Sequence, residues 1–94
     1  MSNALTTQLR QSGAAVAVHP DTDRYKNRFD VRSGSSNRVY RISYDAAPGA
    51  GYWVCSCPGC IRHGDCKHLR AVGLQGRKYG RVSLEASIKR ALNG

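Results

Sequence analysis

Two stretches of the chain alternate with a period of two. In RYKNRFDVR, Tyr25, Phe29 and Val31 fall on one face, with Asn27 as the exception, and Arg24, Lys26, Arg28, Asp30 and Arg32 fall on the other. In RVYRISYD, Tyr40, Ile42 and Tyr44 oppose Val39, Arg41, Ser43 and Asp45. Successive side chains of a strand point to opposite faces, so each stretch predicts a half-buried strand, the first with a mainly basic outer face. Turn-forming residues separate the strands at 19–23, 34–37 and 46–51. A short apolar run at 14–18 predicts another strand, and one more begins at Tyr52 and runs into the cysteines. Consecutive strand-turn units of this kind predict an antiparallel sheet.

The period lengthens at both ends of the chain. Residues 4–11 predict a short helix with Leu5 and Leu9 as its large apolar positions, ended by Gly13. A second helix is expected to begin near Cys66, to carry Leu69 and Val72 on one face and to close at Gly76, although Gly73 weakens it. The last helix is expected after Ser83, a suitable N-cap. Leu84, Ile88, Ala91 and Leu92 form its apolar stripe, with Glu85 in its first turn and Lys89 and Arg90 near its C-terminal end. The expected fold class is α+β, a small antiparallel sheet of about three or four strands with short helices. One domain over 1–94 is expected.

A chain of 94 residues buries a modest core, and chains this small often use metals or disulfides as staples. All four cysteines lie between positions 55 and 66, a spacing that would cross-link almost nothing as disulfides. No basic segment followed by an apolar leader is visible, and no run approaches the roughly 18 apolar residues of a membrane span. An intracellular compartment (cytoplasmic, or nuclear in a eukaryote) is therefore expected, where clustered cysteines point to metal or redox chemistry.

The stretch VCSCPGCIRHGDCKHL supplies Cys55, Cys57, Cys60, His63, Cys66 and His68 as donors. Cys55 and Cys57, two apart at a strand end, point the same way. Cys66 and His68 converge if Cys66 precedes the helix and His68 sits in its first turn, and the start expected here fits that. Pro58, Gly59 and Gly64 make the segment between the pairs a loop able to fold back. The result is Cys-x-Cys-x8-Cys-x-His, a closed S3N tetrahedron of the kind that holds structural zinc. Cys57-x2-Cys60 is a second chemically reasonable register, with His63 as a further substitute. It could also be a redox pair, but that chemistry wants the motif at a helix start in an α/β scaffold, and Pro58-Gly59 suggests a turn. Trp53 shares the face of the cysteines and is expected to cover the metal.

With Tyr52-Trp53 before the first pair and Leu69 after the second, and with strands FDVRS and VYRISY leading in, the chain resembles the SWIM zinc finger. The resemblance covers about 29–74 and leaves a C-terminal basic link and helix, 77–93, outside it. It implies a ββα core joined by one structural zinc on Cys55, Cys57, Cys66 and His68, with Cys60 and His63 as bystanders. It also implies binding of DNA or protein, without catalysis by the zinc.

Fifteen Lys and Arg against six Asp and Glu give a net charge of +9, which favours a polyanionic partner. From Cys66 onward the basic residues are Lys67, Arg70, Arg77, Lys78, Arg81, Lys89 and Arg90, against Glu85. Lys67, Arg70, Arg77, Lys78 and Arg81 are therefore the candidate phosphate contacts. Tyr79, set among them, is the candidate for stacking on a base. Tyr25, Phe29, Tyr40 and Tyr44 are expected in the core, and His19 in a turn. DNA is the expected partner. The alternative is a protein-interaction adaptor that docks through the apolar stripe of the last helix. An enzyme is not expected: four protein ligands leave zinc no open position, and no nucleophile-base set accompanies it.

Overall fold

The structure is a computed structural model, and it describes residues 4–34 and 37–93. In chain order the elements are α1 (Ala4–Ser12), β1 (Ala17–His19), β2 (Tyr25–Arg32), β3 (Val39–Asp45), β4 (Tyr52–Cys55), α2 (Pro58–His63), α3 (Lys67–Ala71), a 3-10 turn (Arg77–Tyr79) and α4 (Leu84–Asn93). The four strands form one antiparallel sheet in the order β1-β2-β3-β4. The fold is thus α+β with a small antiparallel sheet and short helices.

Register decides which side chains meet. Phe29 pairs with Ile42, and Ile42 with Cys55, so one row crosses three strands. Tyr44 pairs with Trp53 in the next row. This face and the helices enclose the core, in which Trp53, Phe29, Leu5, Ile42 and Leu69 are the largest fully buried side chains. Burial of each such side chain contributes about 1.5–3 kcal/mol. Trp53 packs edge-on to Tyr44 and tilted against Phe29, with ring centroids 5.5 and 6.5 Å apart. Leu5 of α1 and Ile88 of α4 belong to the same cluster.

Asn27 accounts for the break in the β2 alternation. Between the pairs Lys26–Tyr44 and Phe29–Ile42, β2 spends one more residue than β3, which is a β-bulge. Asn27 takes up the extra residue at φ 50°, and its N–H donates to Asp21 Oδ1 at 2.9 Å. Asn tolerates the left-handed region better than other residues with a Cβ.

Several boundaries differ from expectation. The first strand begins at Ala17 rather than Ala14, and His19 belongs to its end rather than to a turn. His19 Nε2 lies 2.9 Å from Asp30 Oδ2 on the neighbouring strand, which draws it into the sheet. The helix after Cys66 stops at Ala71 instead of reaching Gly76, because Gly73 adopts φ 77° and turns the chain. The segment 58–63 is a helix, not a loop: Pro58 fits the first helical position, and Gly64 closes the helix at φ 74°. Helix α1 ends ahead of Gly13 as expected. Of the 34–37 turn, Ser35 and Ser36 lie outside the described residues.

The last helix is capped as its sequence predicts, with Ala86 N–H donating to Ser83 Oγ at 3.1 Å. Its apolar stripe is occupied by the chain itself. Ile88 is buried, and Leu84, Ala91 and Leu92 pack against the core. Among the described residues, no helix is long and apolar enough to cross a membrane.

Candidate metal centre

Strand β4 delivers the first pair of donors. Alternation along the strand turns Trp53 and Cys55 inward, and Cys57 is buried beyond them. Ser56 holds the intervening backbone to β3: its N–H donates to Arg41 O at 3.0 Å, and its hydroxyl accepts from Arg41 N at 2.9 Å. The pairing therefore outlasts β4 itself and keeps both thiols on one side.

Each helix after the strand starts on a ligand candidate. Cys57 caps α2 in an extended conformation, its Sγ accepting the Cys60 N–H at 3.4 Å. Cys66 caps α3 likewise, its Sγ accepting the Leu69 N–H at 3.5 Å. A sulfur at an N-cap satisfies an otherwise orphan donor, and such donors favour the thiolate. His68, the second residue of α3, then faces the cysteines, as the sequence required for Cys66 and His68 to converge.

The chain segment after α3 fastens this arrangement from behind. Trp53 N–H donates to Gln75 O at 3.1 Å, and Gly76 forms a parallel bridge with Trp53. Lys78 N–H donates to Gly64 O at 3.1 Å. A Cβ on Gly76 would run into that same Gly64 carbonyl, so the close approach requires glycine.

Cys55, Cys57, Cys66 and His68 each offer one donor atom, and those atoms all lie within 4.8 Å of one another. Cys55 Sγ stands 3.9 Å from His68 Nδ1. A tetrahedral ion with bonds of about 2.3 Å to sulfur and 2.0 Å to nitrogen would separate those two atoms by about 3.5 Å. The group could thus hold one metal ion with little adjustment. All four cysteines are free thiols.

The electrostatics of the group follow from its burial. Burial pushes the Cys55 thiol well up from its ordinary value and the Cys66 thiol up to about 11, and the neighbouring sulfurs add to both shifts. Burial, followed by the charge of Lys67, lowers His68, so its imidazole is neutral and able to ligate. Closely set buried thiolates need a cation, and the donor set fits a soft or borderline divalent ion. His68 Nε2 is buried without a hydrogen-bond partner.

The remaining donors stay outside the group. Cys60 is buried beside it, and its Sγ accepts the Cys55 N–H at 3.3 Å. Burial raises this thiol too. His63 lies exposed in the last turn of α2. The Cys57-Pro58-Gly59-Cys60 motif opens a helix after a strand rather than forming the expected turn, since Pro58 is well suited to the first helical position. Trp53 also departs from expectation. Its ring contacts are with Phe29 and Tyr44, and its indole N–H reaches Ser87 Oγ, so it anchors α4. The aromatic ring against the donor group is that of Tyr40, 5.1 Å from His68.

Lys67, Arg70, Arg77, Lys78, Tyr79 and Arg81 are all exposed. Arg70 Nε lies 3.5 Å from Asp65 Oδ2, and the Tyr79 hydroxyl donates to the same oxygen at 3.2 Å. Lys78 Nζ stands 5.7 Å from the centre of the Tyr79 ring. Arg70, Tyr79 and Arg90 line a common recess. Arg77 donates to Ile61 O at 2.9 Å, which gives it a structural task as well. The Arg81 side chain lies instead beside Gly51. Asp65, next to Cys66, was not singled out by the sequence, where nothing local sets it apart from an ordinary residue ahead of a helix start.

Compared with known proteins, the chain matches no family model, no curated protein and no solved structure.

Proposed function

We propose that the chain is a zinc-stabilised module of SWIM type that binds nucleic acid, DNA in the first place. The observation that carries the zinc half is the convergence of four donors within 4.8 Å. These are the four positions of the SWIM-like spacing, while Cys60 and His63 stand aside. Three thiols and one imidazole suit zinc, and four protein donors fill its tetrahedron. The ion is therefore structural, joining the end of β4 to the start of α3, and no catalytic step is assigned to it.

The nucleic-acid half is supported by charge and exposure. The chain carries +9, and Lys67, Arg70, Arg77, Lys78 and Arg81 all reach solvent. Lysine and arginine at a surface gain affinity for a phosphate backbone by releasing its counterions. Tyr79, about half exposed at 52 %, offers a ring for stacking on an unpaired base. The adaptor alternative loses support because the stripe of α4 on which it relied packs against the chain's own core.

The test is a binding titration of the zinc-loaded chain with duplex and single-stranded DNA at several salt concentrations. Affinity should fall steeply with salt, and Lys78→Glu with Arg81→Glu should weaken binding and flatten the slope while zinc stays bound. Tyr79→Ala should weaken single-strand binding selectively. No binding to either DNA at low salt would overturn the nucleic-acid half and leave the metal assignment standing.

A further inference from the structure

Two buried polar atoms beside the metal centre lack partners, and they are complementary. The Asp65 side chain is 8 % exposed. Its Oδ2 is occupied by Arg70 and by the Tyr79 hydroxyl, whereas its Oδ1 is buried without a hydrogen bond. His68 Nε2 is buried and unpartnered too, and the two residues line one recess next to Cys57 and Cys66. Orphans of this kind are rare in folded proteins and call for an occupant or a rearrangement.

A neutral imidazole carries one proton. When Nδ1, the nitrogen that faces Cys55 Sγ, is given to a metal, the proton must reside on Nε2, which becomes a donor. Metal-bound histidines characteristically donate that second N–H to a carboxylate or carbonyl, which fixes the ring and makes it a better ligand.

We infer that Asp65 is a positioning residue of the metal centre, its Oδ1 accepting the Nε2–H of His68 in the metal-bound protein. Sequence distance makes the contact easy to reach: Asp65 directly precedes the N-cap Cys66, and His68 lies in the first turn of α3. The same carboxylate holds Arg70 and Tyr79 through its other oxygen. Filling the centre therefore also steadies part of the basic surface. The inference rests on the metal-binding reading of the four donors.

The experiment uses the full chain with zinc and, for spectroscopy, cobalt. In the zinc-loaded protein, long-range proton–nitrogen correlation should find His68 protonated at Nε2 and bound to metal through Nδ1. The Nε2 proton should be protected from exchange, and Asp65→Ala should abolish that protection. Chelator competition should show Asp65→Ala binding zinc about 10- to 100-fold more weakly at unchanged stoichiometry. Asp65→Asn, whose amide oxygen still accepts, should fall between the two. Glu85→Ala, an equal change of charge at an exposed position of α4, should bind like the parent. Metal on Nε2, or an Asp65→Ala affinity within twofold of the parent, would overturn the role of Asp65 and leave the metal centre intact. Failure of the parent chain to take up zinc or cobalt would overturn both.

Discussion

The indole N–H of Trp53 donates to the hydroxyl of Ser87 at 2.9 Å, joining residues 34 apart in sequence. Trp53 has no exposed surface, and Ser87 passes the bond on by donating to Leu84 O at 2.8 Å. The pair ties α4 to the strand that ends in Cys55. It also explains why a serine sits on the buried side of an otherwise apolar stripe.

Ser87→Ala is expected to strand the indole N–H in the core. Loss of one partner from a buried hydrogen bond costs about 1–3 kcal/mol. The denaturant midpoint of the zinc-loaded variant should fall accordingly, with zinc stoichiometry unchanged. An unaltered midpoint would mean that α4 does not depend on this bond.

Gly76→Ala should be more damaging than its size suggests. The added methyl meets the Gly64 carbonyl, which is backbone and already accepts from Lys78 N–H. Overpacking that only backbone movement can relieve should cost about 3 kcal/mol. Because Gly64 closes α2 and Gly76 bridges Trp53, zinc affinity measured by chelator competition should drop as well.

Cys57→Ser and Cys60→Ser separate the ligand from the bystander. Cys57 Sγ belongs to the donor group, so its loss should abolish the tetrahedral cobalt spectrum and stoichiometric binding. Cys60 Sγ stands outside that group and accepts the Cys55 N–H, a role that a serine hydroxyl can take over, so Cys60→Ser should keep both. Identical behaviour of the two variants would show that the register is wrong.

Asp45 should make part of the stability sensitive to acid. Hydrogen bonds from Arg24 hold its carboxyl below the ordinary 3.8, assisted by the Ala47 N–H and outweighing the opposing effect of burial. Its proton affinity is thus lower folded than unfolded. The contribution is in place above the ordinary value and is lost as pH falls through the folded one. Asp45→Asn should be less stable than the parent at neutral pH, and the two stability curves should converge toward low pH. A constant gap at every pH would rule out this linkage.

The sequence by itself determined the sheet and the pool of donor candidates, because both are written in local pattern and spacing. Alternation placed Phe29, Val31, Ile42 and Tyr44 on inner faces, and a spacing of two residues brought Cys55 and Cys57 to the same side. Ser83 announced α4, and the need for a helix start at Cys66 placed His68. Tertiary structure decided what local pattern does not encode. A six-residue helix, Pro58–His63, is too short to show a hydrophobic period, and Cys57 made an N-cap of a residue type not usually counted as one. Trp53 and Cys55 share a strand face, yet which neighbour each meets depends on the chain beyond. Returning helix α4 takes Trp53, and Tyr40 from β3 takes His68. The same return packs the stripe of α4 that looked free in one dimension against the core, because an amphipathic face records only that something covers it. The orphan pair Asp65 Oδ1 and His68 Nε2 belongs to this second kind: hydrogen-bond satisfaction is a property of three-dimensional surroundings, which residue types and spacing leave open.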